Sequence, residues 1–323
     1  TQPDDAVWDA GDIRYNVLRW TSSPNPPFGG YGPSFVNPNT GQILGADIML
    51  EYVYFTNRVK YEQLHRTFNS ETEFKLDPTN TCLAGDYLHQ ANLFGMAALG
   101  AVDDFSKLEQ HRLIYESLVS LTLHEVGHTL GLNHNFYASH LHSFKNIHDR
   151  IITEPIGLTS SVMDYVPANV NDKPKHHGQF YSTTPGPYDV WAIEFGYTPP
   201  FESITDEEER IELLLGQSTK NELRFGNDAD DMRSPGKGID PRVNTSDMST
   251  DPVAYAKQRM DIVRSLYPGL KKRYERPGES YHAFTDAFSI LNREYRNSAM
   301  VISRYVGGVF IDRSLVGQKG SQK

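Results

Sequence analysis

In the stretch His124-Glu125-Val126-Gly127-His128-Thr129-Leu130-Gly131-Leu132-Asn133-His134, three imidazoles and one carboxylate stand at spacings that suit a metal ion. On a helix, His124 and His128 project from nearly the same face, one turn apart, and can fill two corners of a zinc tetrahedron. Glu125 lies beside them, placed to reach a water on the metal without being a ligand itself. His134 cannot join by continuing the helix, because ten residues would carry it about 15 Å along the axis. The chain must turn back, and Gly131 can take the positive φ that helix C-termini use. Three neutral imidazoles leave a fourth zinc position open, the mark of a catalytic rather than a closed structural site. There zinc (Zn2+) lowers the pKa of a water toward about 7 and polarises a carbonyl, with Glu125 as general base.

The elements that must position these groups follow from periodicity. Lys107 to Leu130 reads as one long helix with Leu113, Ile114, Leu118, Leu121 and Val126 as its apolar stripe. The candidate ligands sit in its last two turns, so its packing pre-positions them. Asp86 to Leu99 has helical spacing as well. Asp12 to Trp20 reads as a strand, and residues 22–33, rich in proline and glycine, as loop. Ser34–Val36 and Gln42–Leu50 flank Asn37-Pro38-Asn39-Thr40-Gly41 and predict a hairpin. Residues 58–80 read as an insertion or surface loop. Further helices are expected from Pro187 to Phe195, from a capping box at Thr205 to Leu215, from Asp251-Pro252 to about Tyr267, and from Ser280 to Tyr305.

At its zinc stretch the sequence resembles the metzincin metallopeptidases, whose signature HExxHxxGxxH is followed downstream by a methionine turn. Ser161-Val162-Met163-Asp164-Tyr165 fits that second element. The nearer resemblance is to large bacterial secreted zinc-dependent Met-zincin proteins, through residues 31–44, Ser-Val-Met-Asp-Tyr-Val-Pro at 161–167 and Tyr-Val-Gly-Gly at 305–308. The resemblance implies an α+β, metzincin-like zincin fold, with a twisted mixed β-sheet over the zinc-binding active-site helix. It implies a catalytic domain over residues 1–200 and a mainly helical C-terminal subdomain over 201–323. It further implies His124, His128 and His134 as ligands and Met163 as an apolar floor beneath the metal. Tyr165 would be a catalytic residue near the zinc, donating to the oxyanion. One strand of the 34–52 region would be the edge that pairs with extended substrate. The expected activity is zinc-dependent endopeptidase hydrolysis of a protein or peptide. The alternatives are hydrolysis of a non-peptide amide, or a toxin-type or binding module on the same fold.

Composition narrows the partners. The net charge is -10 with acidic and basic residues interleaved, which argues against nucleic acid. The longest mostly apolar run, Leu93 to Val102, is too short to cross a bilayer, so no transmembrane segment is expected. The sequence opens at Thr1 without a basic-apolar leader. With the family resemblance this sets the expectation of a mature or trimmed end and of a secreted, periplasmic or cell-surface bacterial protein.

Three weaker signals remain. Cys82 is the sole cysteine, so no intrachain disulfide can form. A cysteine can block a zinc site in a proenzyme, but Asn80-Thr81-Cys82-Leu83-Ala84 lacks the flanking pattern of that device, and Cys82 is expected to be a buried inert thiol. His140, His142 and His148, and likewise His176 and His177, are expected to be solvated loop histidines rather than a second metal site. Asp228, Asp230, Asp231, Asp240, Asp247 and Asp251 offer oxygen ligands of the kind that bind calcium (Ca2+), but they do not follow the EF-hand pattern and read as an acidic solvated loop.

Overall fold

The computed structural model describes residues 2–22, 29–52, 82–99, 107–172, 178–231 and 238–318. The expected loop or insertion at 58–80, and His176 and His177, lie outside the described residues.

A mixed sheet stands at the N-terminal end of the chain. Its strands are β1 (Val17–Thr21), β2 (Gly30–Tyr31), β3 (Ser34–Val36) and β4 (Ile43–Glu51). β1 runs parallel to β4, while β2 and β3 both run antiparallel to it. Gly30 pairs with Leu50, Tyr31 with Met49, Ser34 with Ala46 and Phe35 with Gly45, a register in which paired numbers keep one sum. β2 and β3 are therefore one arm of a single long hairpin, interrupted at Gly32-Pro33, where proline has no N–H to donate. The expected turn closes this hairpin: Asn37 N donates to Gln42 O, and Gly41 takes φ 74°. Two expectations are corrected. The first strand begins only at Val17, because residues 12–15 are held in turns by Asp12, which caps Arg14 N and pairs with the Arg14 guanidinium. Gly30 and Tyr31, expected in a loop, form the edge arm because β4 supplies the partners their own composition does not advertise.

Beneath the sheet lie α1 (Ala84–Leu99) and α2 (Lys107–Thr129). β2 and β4 both touch α2, so the sheet covers the helix that carries the histidines. Leu113 and Leu121 are fully buried, as the apolar stripe predicts. The same helix also buries Glu116 and Ser117. Glu116 accepts from Phe180 N at 2.6 Å and Tyr181 N at 3.2 Å, and Ser117 Oγ accepts from Asn92 of α1 at 2.9 Å. These bonds lock the two helices and the 178–182 segment in one arrangement. Gly29 and Gly85 meet backbone to backbone: a Cβ on Gly29 would fall 2.4 Å from Gly85 Cα.

The remaining helices are α3 (Arg150–Thr153), α4 (Pro187–Tyr197), α5 (Ile204–Leu215), α6 (Asp228–Asp231), α7 (Pro252–Leu266), α8 (Leu270–Tyr274) and α9 (His282–Arg304). α5 is capped by Ser203, whose side chain accepts from Asp206 N, and not by Thr205 as its capping-box pattern predicts. α7 starts as expected, with Asp251 accepting from Ala254 N and Pro252 in the first turn. α7 and α9 pack on each other and on α1. Arg259 of α7 is the joint among them. Its buried guanidinium pairs with Glu294 of α9, donates to Ala168 O at 2.6 Å and lies over Phe94 of α1, 4.6 Å from the ring centroid. Among the described residues no helix is long and apolar enough to cross a membrane.

Candidate metal centre

α2 ends at Thr129, and the reversal the spacing requires follows at once. Leu132 N returns to Gly127 O at 3.0 Å, with Gly131 at φ 89°. His134 thereby comes back beside the helix, its ring centroid 5.4 Å from that of His124 and 4.8 Å from that of His128. Each imidazole is held by its Nδ1. His124 Nδ1 donates to Val162 O at 2.8 Å, His128 Nδ1 to Leu132 O at 3.1 Å, and His134 Nδ1 to Asp228 Oδ2 at 2.6 Å. A carbonyl or carboxylate at Nδ1 fixes the proton there and leaves the Nε2 lone pair for a metal.

The Nε2 atoms converge, and a fourth donor joins them. Cys82, His124, His128 and His134 each offer a ligand atom within 4.8 Å of the others. The thiol expected to be inert thus stands at the edge of the histidine cluster. Cys82 stands at the mouth of α1, where the contact between Gly29 and Gly85 seats the first turn of that helix against the sheet. Its Sγ lies 3.4 Å from His124 Nε2 and 3.5 Å from the Tyr165 hydroxyl. A tetrahedral zinc with its usual bond lengths sets neighbouring nitrogen and sulfur ligands roughly 3.6 Å apart. The donor set therefore fits zinc on two counts: the tautomers are fixed for ligation, and the spacing is that of one small ion.

Burial shapes the charges. Glu125 is fully buried, and neither carboxylate oxygen completes a hydrogen bond among the described residues. Burial pushes its carboxyl well above the usual carboxylate range, and the neighbouring Cys82 sulfur pushes the same way. Burial likewise lowers His124. For His134 burial acts downward, but the Asp228 hydrogen bond and charge, with Cys82, outweigh it and hold the imidazole above its usual value. For Cys82 burial acts upward, and the surrounding imidazoles outweigh it and hold the thiol well below its usual value.

The methionine turn lies against this cluster. Met163 is fully buried, and its Sδ would sit 2.3 Å from a Cβ placed on Gly127, so the sulfur fits under the helix only because that position is glycine. The turn is tied by Asp189 of α4, which accepts from Ser161 Oγ at 2.5 Å, Val162 N at 2.9 Å and Gly186 N at 2.9 Å. The buried Tyr165 hydroxyl accepts from Leu83 N at 2.9 Å and stands 2.9 Å from His134 Nε2. The structure thus brings together His124, His128, His134, Glu125, Met163 and Tyr165. It adds Asp228, Asp189 and Cys82, which sequence reasoning does not assign to the site. Asp228 stands 94 positions from its histidine, with no local pattern to mark the pair.

The weaker sequence signals resolve differently. His140 and His142 are buried, not solvated: His140 lies near Asp247, and His142 Nε2 donates to Gly157 O at 2.8 Å. Burial lowers His148 to about 4. The acidic loop is only partly solvated among its described residues. Asp240 and Asp247 are buried, Asp240 pairing with Arg242 and Asp247 accepting from Ser139 Oγ, while Asp230 pairs with Arg313 and Asp251 caps α7.

A family model described as Met-zincin matches residues 106–323, a span that holds the three histidines, Glu125, Met163 and Tyr165 but not Cys82 or the sheet. No curated protein and no solved structure matches the chain.

Proposed function

Because the chain belongs to the Met-zincin family of metzincin-type zinc metallopeptidases, we propose that it is an endopeptidase whose zinc is held by His124, His128 and His134. The observation that carries this reading is the set of three imidazoles tied at Nδ1 with their Nε2 atoms converging. When bound, zinc lowers the pKa of a water and polarises the scissile carbonyl. Glu125 accepts a proton from that water as it attacks and then delivers a proton to the departing amine nitrogen. The Tyr165 hydroxyl, beside His134 Nε2, is placed to donate to the oxygen that becomes negative in the transition state. Met163 fills the space under the helix with an apolar side chain and excludes water there. The β2–β3 arm is the proposed platform for an extended peptide, since it forms one edge of the sheet and lies over Glu125. We further propose residues 1–200 as the catalytic unit, 201–323 as its helical extension, and a bacterial secreted, periplasmic or cell-surface setting.

A peptide library incubated with the full chain, with and without chelator, tests the activity. Cleavage that stops on chelation and returns with zinc is expected. Zinc content measured in parallel should fall sharply in His128→Ala, and undiminished stoichiometric zinc in that variant would remove the ligand assignment.

A further inference from the structure

We propose that the cleft between α4 and the C-terminal segment 309–314 binds a small carboxylic acid with an aromatic body, seated on Arg224. The cleft holds about 540 Å³, within the roughly 300–1,000 Å³ of small-molecule sites. Its rings are Tyr137, Tyr188, Trp191 and Phe225. Tyr188 stacks on Phe225 with centroids 5.8 Å apart, and tilts by 55° against Trp191 at the same distance. The walls are fixed by backbone bonds. On one side Phe136 N donates to Gly226 O at 2.7 Å, and Asn244 N to Phe136 O at 3.1 Å. On the other, Val309 N donates to Ile239 O at 3.0 Å, and Ile311 N to Asp240 Oδ2 at 2.9 Å.

The charges select the ligand. Asp230 pairs with Arg313, Asp240 with Arg242, and Asp312 accepts from Ser314 N at 2.9 Å. Arg224 is the lining cation left over. Among the described residues no carboxylate pairs with it, its guanidinium carbon lies 5.7 Å from the Tyr137 centroid, and its buried Nε has no acceptor. A buried donor without an acceptor costs free energy, and a carboxylate brought to the guanidinium relieves that cost with charge-assisted bonds. The occupant therefore carries one negative charge and an apolar body. It carries no ammonium, because each lining carboxylate is already engaged. The cleft is separate from the metal centre. Asp228 turns to His134, whereas Ala229 and Asp230 of the same α6 line the cleft, and none of the three histidines does.

3-Phenylpropionate is the probe, and 3-phenylpropanamide, of the same shape without the charge, is its control. Intrinsic fluorescence of the full chain reports occupancy through Trp191, while Trp8 and Trp20 lie outside the cleft and give a constant background. The acid should bind saturably and about tenfold or more tighter than the amide, since hydrogen bonds to charged groups exceed neutral ones. Arg224→Gln should reduce the acid to the affinity of the amide, with melting temperature as the check on folding. Should that variant not fold, the ratio of acid to amide on the unmutated chain decides alone. The acid's affinity should be the same with zinc bound and after chelation. No saturable binding, equal affinity for acid and amide, or parental binding by folded Arg224→Gln would overturn the site. Binding lost on chelation would place the acid on the metal and overturn it equally. N-acetylglycyl-phenylalanine carries the same acid on a peptide and should bind more weakly. If it binds more tightly than the free acid, the cleft takes peptide C-termini and the small-acid assignment falls.

Discussion

Asp228→Asn should weaken zinc binding while leaving the fold intact. The carboxylate accepts from His134 Nδ1 at 2.6 Å, so it sets the ring's tautomer and orientation and adds electron density to the ligating nitrogen. Loss of such a partner costs about 10- to 100-fold in metal affinity, or about 1.4–2.7 kcal/mol. The Asp228 side chain is 41% exposed, so water screens part of its charge and the effect belongs in the lower half of that range. Asparagine keeps an acceptor oxygen and removes only the charge, which places Asp228→Asn near tenfold and Asp228→Ala above it. The assay is competition for zinc against a chromophoric chelator, with melting temperature as a check on folding. Asp230→Asn is the control, because Asp230 lies in the same short helix but pairs with Arg313 instead. Both variants change net charge equally. If the two lose the same affinity, the loss is a general field effect and the orienting role of Asp228 is wrong.

Other expectations concern catalysis and pH. Glu125→Gln should keep its zinc and lose roughly 10²–10⁴-fold in kcat, measured on a cleaved peptide, and parental rates in this variant would remove the general base. Tyr165→Phe should lower kcat by about 10² or less with little change in KM, since zinc shares the oxyanion charge. Its hydroxyl also accepts from Leu83 N, so a loss of about 1 kcal/mol in stability is expected alongside. His148, lowered to about 4 by burial, binds its proton more readily in the unfolded chain. Its contribution to stability is therefore complete above about pH 6.5 and declines as pH falls toward 4. Denaturant midpoints between pH 7 and 4.5 should fall more steeply for the parent than for His148→Gln, and parallel curves would show that His148 does not report folding.

The parts of this site that local spacing dictates are legible in the sequence alone. His124 and His128 share a face because a helix repeats every 3.6 residues, and the Gly131 reversal returns His134 by chain geometry alone. The helices from Lys107, Pro187, Pro252 and His282 carry periodicity or caps that survive in the fold. What is illegible depends on packing between distant segments. Cys82 reaches the imidazoles only because α1 seats its first turn against the sheet, and Asp228 reaches His134 only because residues 224–228 run back beside Asn135 and Phe136. His142 is buried because Thr250 N binds its carbonyl and brings the 239–251 segment across it, a covering no local composition announces. β2 is hidden for a different reason, since glycine and proline read as loop until a partner strand supplies the ladder.

The meeting of Gly29 with Gly85 has a thermodynamic consequence. It joins the arm that covers Glu125 to the helix start that carries Cys82 and Leu83, with no side chain between them to act as a compliant spacer. Backbone pressed on backbone leaves little slack, so the arm over Glu125 and the first turn of α1 should move as one unit. Amide exchange measured against denaturant should then show a single midpoint for Gly30–Tyr31 and for the first turn of α1.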